Sequence, residues 1–224
     1  MTQSTSHGGA ETGPSRLIYR GAEADIFLGR WSGRPAVYKI RKALPYRLAA
    51  LDEMLRRQRT VHEAEMIHSV KAAGVASPFL YFVSQPDATL VMEFVDGQRL
   101  KDVIATAAKS EVARLFRLLG VNVAKLHSAG LMHGDVTTAN VIIREEELVF
   151  IDFGLSVHSR RLEDHAVDLR LIKETITGAH SSVAGTATDA LFQGYGDVVG
   201  ARALKAALRQ LSEIERRGRY ARVD

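Results

Sequence analysis

Asp135 and Asn140 stand five residues apart in the stretch HGDVTTAN, and a second aspartate, Asp152, follows twelve residues later in DFG. Carboxylate and amide oxygens are hard donors. They suit Mg²⁺, an ion that keeps several waters and binds phosphates through one or two carboxylates. In phosphoryl transfer one aspartate orients or deprotonates the acceptor hydroxyl, while an asparagine and a second aspartate hold the metal. The set therefore points to Asp135 as the catalytic group, with Asn140 and Asp152 as ligands of Mg²⁺ bound to ATP.

Such chemistry also needs a cation for the α- and β-phosphates. Lys39 in AVYKI lies on a β-type run, in the setting of the kinase motif V-A-I-K. A lysine of this kind is positioned by a helix glutamate, and VHEAEM offers two, Glu63 and Glu65. Glu63 shares a helical face with Ile67 and Val70, the face expected to pack inward, whereas Glu65 shares its face with His68 and Ala72. Spacing selects Glu63. A lone DFG is often a turn, and a lone strand lysine usually faces solvent. The order of strand lysine, helix glutamate, Asp–Asn loop, hairpin and DFG is what makes coincidence a poor explanation.

The elements that must position these groups follow from pattern. RLIYRGAEADIFLGRW and RPAVYKIR alternate and are split by the turn SG, a hairpin signal. Residues 51–74 read as a helix stopped by Gly74, and PFLYFVS and ATLVMEFV as two further strands. Val112, Leu115, Leu119, Val123 and Leu126 recur at helical spacing, with Gly130 as the stop. NVIIREEELVFIDFG reads as a hairpin, and the segments after it as helices. The expected architecture is α+β, a two-lobed protein-kinase-like fold. Residues 16–93 form a β-rich lobe with one main helix, and 94–215 a reduced helical lobe. Residues 1–15 are expected to be a disordered tail and 216–224 a basic tail. Glu93 and Val95, in the segment joining the lobes, are expected nucleotide contacts.

Composition bounds the alternatives. With no cysteine among 224 residues, disulfides, thiolate catalysis and cysteine zinc sites are excluded, and a reducing cytoplasm is expected. No apolar run approaches the roughly 18 residues of a membrane span, and the first fifteen residues lack the pattern of a signal peptide. A net charge of +4 is too mild to argue nucleic-acid binding by itself. The arginines cluster, however, in RRQR at 56–59 and RRGRYAR at 216–222. Gly218 is expected to end the last helix, so that Arg217, Arg219 and Arg222 form a tail able to touch tRNA or a partner, with a solvated tail as the plainer reading.

Two departures narrow the family. The phosphate loop GAEADIF keeps Gly21 but puts Glu23 and Ile26 where later glycines of G-x-G-x-x-G would fall. Gly21, Ala22 and Glu23 are the expected ATP-binding residues of that loop, and Glu23 either points away from the phosphates or gates them. HGD replaces HRD, which removes the arginine that pairs with a phosphorylated activation loop. Seventy residues follow Gly154, and none of them reads A-P-E.

With these features the sequence resembles the small atypical kinase of the KEOPS complex, the PRPK family. The carrying residues are GAEADIF, KIRKALPYRLAALDEMLRRQRTVHEAEMI, HGDVTTANVI, IDFGLS and EDHAVDL, together with the arginine-rich end. The resemblance runs from about Leu17 onward. It implies a serine/threonine kinase and ATPase using ATP and Mg²⁺, in the complex that makes threonylcarbamoyl-adenosine in tRNA. It implies as partners the complex's threonylcarbamoyl-transferase subunit and a small regulatory subunit, with tRNA reached through the complex. The compact, cysteine-free chain looks like an archaeal version. Asp168 in EDHAVDL is expected to support the 133–140 loop from the start of a buried helix. Two rivals remain. An aminoglycoside-kinase type of small-molecule phosphotransferase also uses HGD, but seventy residues leave little room for its substrate lobe. A non-catalytic scaffold would have no need of Lys39, Asp135, Asn140 and Asp152 together.

Overall fold

Period-2 alternation builds the first sheet. Strands β1 (Gly13–Arg20), β2 (Ala24–Trp31), β3 (Arg34–Arg41), β4 (Leu80–Ser84) and β5 (Thr89–Glu93) form one antiparallel sheet in the order β1-β2-β3-β5-β4. The computed structural model describes residues 12–220. The β2–β3 turn is Ser32–Gly33, with φ of 47° and 79°. Two central residues in the left-handed region match the twist of the strands they join. β1 starts at Gly13, inside the segment expected to be a tail. Gly13 pairs with Arg30 and Pro14 with Gly29, and the Ser15 hydroxyl donates to the Leu28 carbonyl at 3.0 Å. Ladder pairing to β2 orders those residues despite their polar composition. Residues 1–11 of the expected tail lie outside the described residues.

The chain divides into two compact units, residues 12–64 with Pro78–Phe94 and Glu65–Ser77 with residues 95–220. In the first, alternate residues of β3 serve different ends. Ala36 and Tyr38 are buried with Val91 against Phe27, Trp31, Ile40 and Tyr81. Lys39 and Arg41 point to the other face and are also buried. Helix α1 (Ala49–Ala72) supplies its first part to this unit and its last turns to the second. It ends where Gly74, at φ 71°, donates to the Lys71 carbonyl and Val75 donates to that of Val70. That paired closure is a Schellman motif, which satisfies carbonyls left open at a helix end.

The second unit is mostly helical. It holds strands β6 (Gln98–Arg99), β7 (Leu131–Met132), β8 (Val141–Arg144), β9 (Glu147–Phe150) and β10 (Val157–His158). Its helices are α2 (Leu100–Ile104), α3 (Lys109–Ser128), α4 (Leu162–Ala179), α5 (Ala184–Val199) and α6 (Ala201–Tyr220). Val112, Leu115, Leu119, Val123 and Leu126 of α3 are all buried, with Phe116 between them. The β8–β9 hairpin turns at Glu145, whose φ is 55°. Helix α6 buries Ala207, Leu211 and Ile214, at the i, i+4, i+7 spacing of one face.

The end of the chain departs from expectation. Helix α6 continues through Gly218 to Tyr220. A helical glycine costs only about 1 kcal/mol relative to alanine. Arg217 is not in a departing tail: it pairs with Glu163 of α4 at 3.0 Å and with Glu213 one turn back at 3.9 Å. Arg222 lies outside the described residues, and of Arg219 only the helical backbone is described.

Candidate active site

Lys39 and Arg41 are two residues apart on β3, so they share a strand face, and both reach one carboxylate of α1. Lys39 Nζ donates to Glu63 Oε1 at 2.7 Å, and Arg41 Nη2 to Oε2 at 2.6 Å. Glu63 is 1% exposed. A buried carboxylate with a cation on each oxygen is fixed in orientation, and removing either partner would leave an uncompensated charge. Glu65, the alternative in sequence, is exposed. Arg41 was not singled out by sequence reading, although its period-2 relation to Lys39 was the available signal.

The loop at Gly21–Glu23, expected to meet phosphates, is tied to the same unit. The Gly21 amide donates to the Ala24 carbonyl, and Lys42 Nζ donates to the Gly21 carbonyl at 2.6 Å. Glu23 neither stands free nor lies unpaired: Arg59 donates to Oε2, and Arg47 donates to Oε1 at 3.1 Å. The Arg59 hydrogen bond, more than any other contact, holds the Glu23 carboxyl below its ordinary pKa. Ala22, between them, lies on the exposed turn. At the other end of the sheet, Glu93 accepts the Phe79 amide through Oε2 at 3.0 Å. Val95 is buried in the second unit.

In the second unit Asp135 and Asn140 are brought together. A 3₁₀ turn over Thr138–Asn140 closes the loop, and Asn140 Nδ2 donates to Asp135 Oδ2 at 2.8 Å and to the Asp135 carbonyl at 3.0 Å. This turns Asn140 Oδ1 away from Asp135. The Asn140 carbonyl accepts the Ile151 amide at 2.9 Å, which ties the loop to the residue before Asp152. Asp152 itself is exposed and has φ 63°. A non-glycine residue in that region carries strain of order 1–3 kcal/mol, and such strain collects at functional sites. Phe153 is fully buried beside the His133 ring at 4.9 Å.

One buried carboxylate organises this loop. Asp168 is 0% exposed and accepts the His133 amide at 2.7 Å, the Gly134 amide at 2.8 Å and His127 Nε2 at 3.2 Å. It sits nearly two turns into α4, not at its start, because the helix begins at Leu162. His127 Nδ1 in turn accepts the Tyr195 hydroxyl at 2.9 Å. Burial lowers the His127 pKa against the pull of Asp168, so the neutral tautomer with its proton on Nε2 fits the network. Burial, and then the Asp168 charge, push the Tyr195 hydroxyl up to about 12. Sequence reading missed His127 and Tyr195, which are 68 positions apart and meet only through the packing of α3 on α5.

His133 is part of the core. Its carbonyl accepts the Ser156 hydroxyl at 2.8 Å, its Nδ1 accepts the Asp135 amide at 3.3 Å, and burial lowers its pKa. Gly134 has φ 81°, and a Cβ there would run into the backbone carbonyl of Leu155, with the carbonyl carbon at 2.9 Å. That contact explains physically why this loop reads HGD: any side chain at 134 would displace the segment that follows DFG.

Asn140 and Asp152 are oxygen donors of the kind that suits Mg²⁺ carried with a nucleotide. Among the described residues no group of three or more His, Asp or Glu side chains is placed to hold a metal ion. Two side chains match an ion that completes its shell with phosphates and water, and not a closed protein cage. Among the described residues no helix is long and apolar enough to cross a membrane.

Comparison with known proteins agrees with this geometry. Residues 20–181 match the family described as "Protein kinase domain". The chain is 34% identical to the "KEOPS complex subunit Bud32" of Pyrococcus abyssi, over 92% of its own length and 96% of the relative's. It is 35% identical to "EKC/KEOPS complex subunit Tp53rkb" of Mus musculus, covering 91% and 86%. It is 39% identical to the "Probable bifunctional tRNA threonylcarbamoyladenosine biosynthesis protein" of Methanothermobacter thermautotrophicus over 96% of this chain, but spans only 38% of that relative's length. The fold also matches a solved Rio2 kinase from Chaetomium thermophilum, in complex with ADP, Mg²⁺ and phosphoaspartate. The TM-score is 0.62 at 20% identity, covering 89% of this chain and 72% of that one.

Proposed function

We propose a function that proceeds from one premise: this chain belongs to the protein kinase family and, within it, to the group of KEOPS subunit Bud32. It is an ATP-dependent phosphotransferase and ATPase whose turnover serves threonylcarbamoyl-adenosine modification of tRNA. Asp135 orients the attacking hydroxyl or water. Lys39, held by Glu63, would serve as the cation for the α- and β-phosphates, with Gly21, Ala22, Glu23, Glu93 and Val95 as the nucleotide contacts expected from sequence. Asn140 and Asp152 are the side chains that would hold Mg²⁺, an ion that would supply positive charge against the phosphates. Asp168 fixes the amides of His133 and Gly134, so the carboxylate one residue later is aimed by a buried network.

The observation that carries this reading is the Asp135–Asn140 hydrogen bond at 2.8 Å, in a loop anchored by a fully buried aspartate. A scaffold has no use for that arrangement. The partners are the threonylcarbamoyl-transferase subunit and a small regulatory subunit, with tRNA engaged through the assembly. The setting is cytoplasmic. The test is reconstitution with those partners and tRNA: wild-type chain is expected to restore ATP-dependent modification, and Asp152→Ala to fail. Equal modification with both would remove ATP turnover by this chain from the reaction.

A further inference from the structure

Around Glu23 the first unit gathers more positive charge than it neutralises. A small cavity, with room for about one water at ~10 Å³, is lined by Leu44 and by the charged side chains of Glu23, Arg41, Lys42, Arg47, Arg56 and Arg59. Five cations face one carboxylate there. Arg56 pairs with Asp52 at 2.7 Å, Lys42 with Asp25 at 3.1 Å and Arg41 with Glu63 at 2.6 Å. Glu63 is already shared with Lys39. Arg47 divides itself between Glu23 at 3.1 Å and Asp52 at 3.9 Å. Six cations are thus served by four carboxylates.

A second observation points the same way. Arg41, whose side chain is 7% exposed, has a buried Nε with no hydrogen-bond partner among the described residues. An orphaned guanidinium donor in a buried position is costly, because nothing replaces its lost hydration. Glu23 is the one carboxylate in the cavity, and its side chain is 40% exposed, as is 42% of Arg59. Glu23 and Arg59 are thus the solvent-facing members of the cluster.

We infer that this cluster is a phosphate-binding site, and that the Glu23 carboxylate holds the place of the phosphate until one arrives. A phosphoryl group carries about −1.5 to −2 charge and three strong acceptor oxygens, against one charge and two oxygens for the carboxylate. Guanidinium forks bind it in the bidentate manner they also use for carboxylates, so the exchange of Glu23 for phosphate keeps the Arg47 and Arg59 hydrogen bonds and adds charge where charge is lacking. The exchange frees the turn Gly21–Glu23 from α1. The ligand class is a phosphate monoester or polyphosphate end, and its source is either the terminal phosphate of the nucleotide or a separate phosphate ester.

The test is titration calorimetry of the full chain with inorganic phosphate and with pyrophosphate, in chloride at fixed ionic strength. Glu23→Gln removes the competing anion and is expected to tighten binding about tenfold, while Arg59→Gln weakens it by a similar factor. Both side chains are half exposed, so the fold survives either change, and the readout does not depend on ATP turnover. Repeating the titration with a saturating non-hydrolysable MgATP analogue separates the sources. Loss of phosphate uptake assigns the site to the nucleotide's terminal phosphate, and persistence assigns it to a separate ester. Affinities within twofold of wild type in both variants, or no phosphate uptake by Glu23→Gln, would overturn the site.

Discussion

Replacing Asp168 tests how the 133–140 loop is built. Asp168→Ala removes the acceptor for two buried donors, the His133 amide at 2.7 Å and His127 Nε2 at 3.2 Å, and for the half-buried Gly134 amide at 2.8 Å. Each orphaned donor costs about 1–3 kcal/mol, so the ceiling is about 9 kcal/mol. Relaxation of the loop recovers part of that, and the three bonds share one carboxylate and are not additive. The expected loss is about 3–5 kcal/mol, which for a chain of this size lowers the melting temperature by about 6–20 °C. Asp168→Asn keeps one acceptor oxygen but turns an NH₂ toward a donor, so it is expected to fall between wild type and Asp168→Ala. Urea unfolding followed by circular dichroism gives the free energies, and ADP release gives the activity. A loss under about 1 kcal/mol for Asp168→Ala would refute the view that this carboxylate holds the loop.

Three further outcomes are expected. Glu63→Gln leaves Lys39 and Arg41 buried without their shared counter-charge; it should cost about 3–5 kcal/mol in urea unfolding and cut ATP turnover as Lys39→Ala does, whereas Glu65→Gln does neither. Gly134→Ala must place a Cβ against the Leu155 carbonyl at φ 81°, so a loss of about 1–3 kcal/mol or more and a fall in turnover are expected, and unchanged values would show that the segment after DFG moves freely. Burial holds the pKa of His127 and His133 below the ordinary value. Below about pH 6.5 the unfolded chain therefore takes up protons that the folded chain refuses, and stability should fall as pH drops from 7 to 5, by up to about 1.4 kcal/mol per pH unit for each group. The urea midpoint measured across that range reads the slope, and a flat profile would mean the two rings are accessible to water.

Local pattern carried much of the architecture. The strand alternation around Lys39 and the i+4, i+7 face of Ile67 and Val70 were enough to choose between Glu63 and Glu65 as the partner inside α1. What could not be read was whatever depends on residues far apart in the chain. Arg41 shows only an alternation signal, and nothing local says that it shares Glu63 with Lys39. The ties from Glu23 to Arg47 and Arg59 span 24 and 36 positions, and the chain Tyr195–His127–Asp168 joins three helices. The helix through Gly218 escaped for a different reason: a breaker read locally was outweighed by burial of Leu211 and Ile214 and by the Lys173–Glu215 pair at 2.7 Å.

Under the proposed function, Asp135 acts on the attacking group in a Mg²⁺-dependent ATP reaction. The most direct test is ADP release by wild-type chain and by Asp135→Ala, with nucleotide affinity measured alongside and Mg²⁺ present or chelated. Turnover is expected to be lower by roughly 10²- to 10⁴-fold in Asp135→Ala, nucleotide affinity to change by less than about threefold, and wild-type turnover to be lost on chelation. Equal turnover by the two proteins, or wild-type turnover indifferent to Mg²⁺, would contradict it.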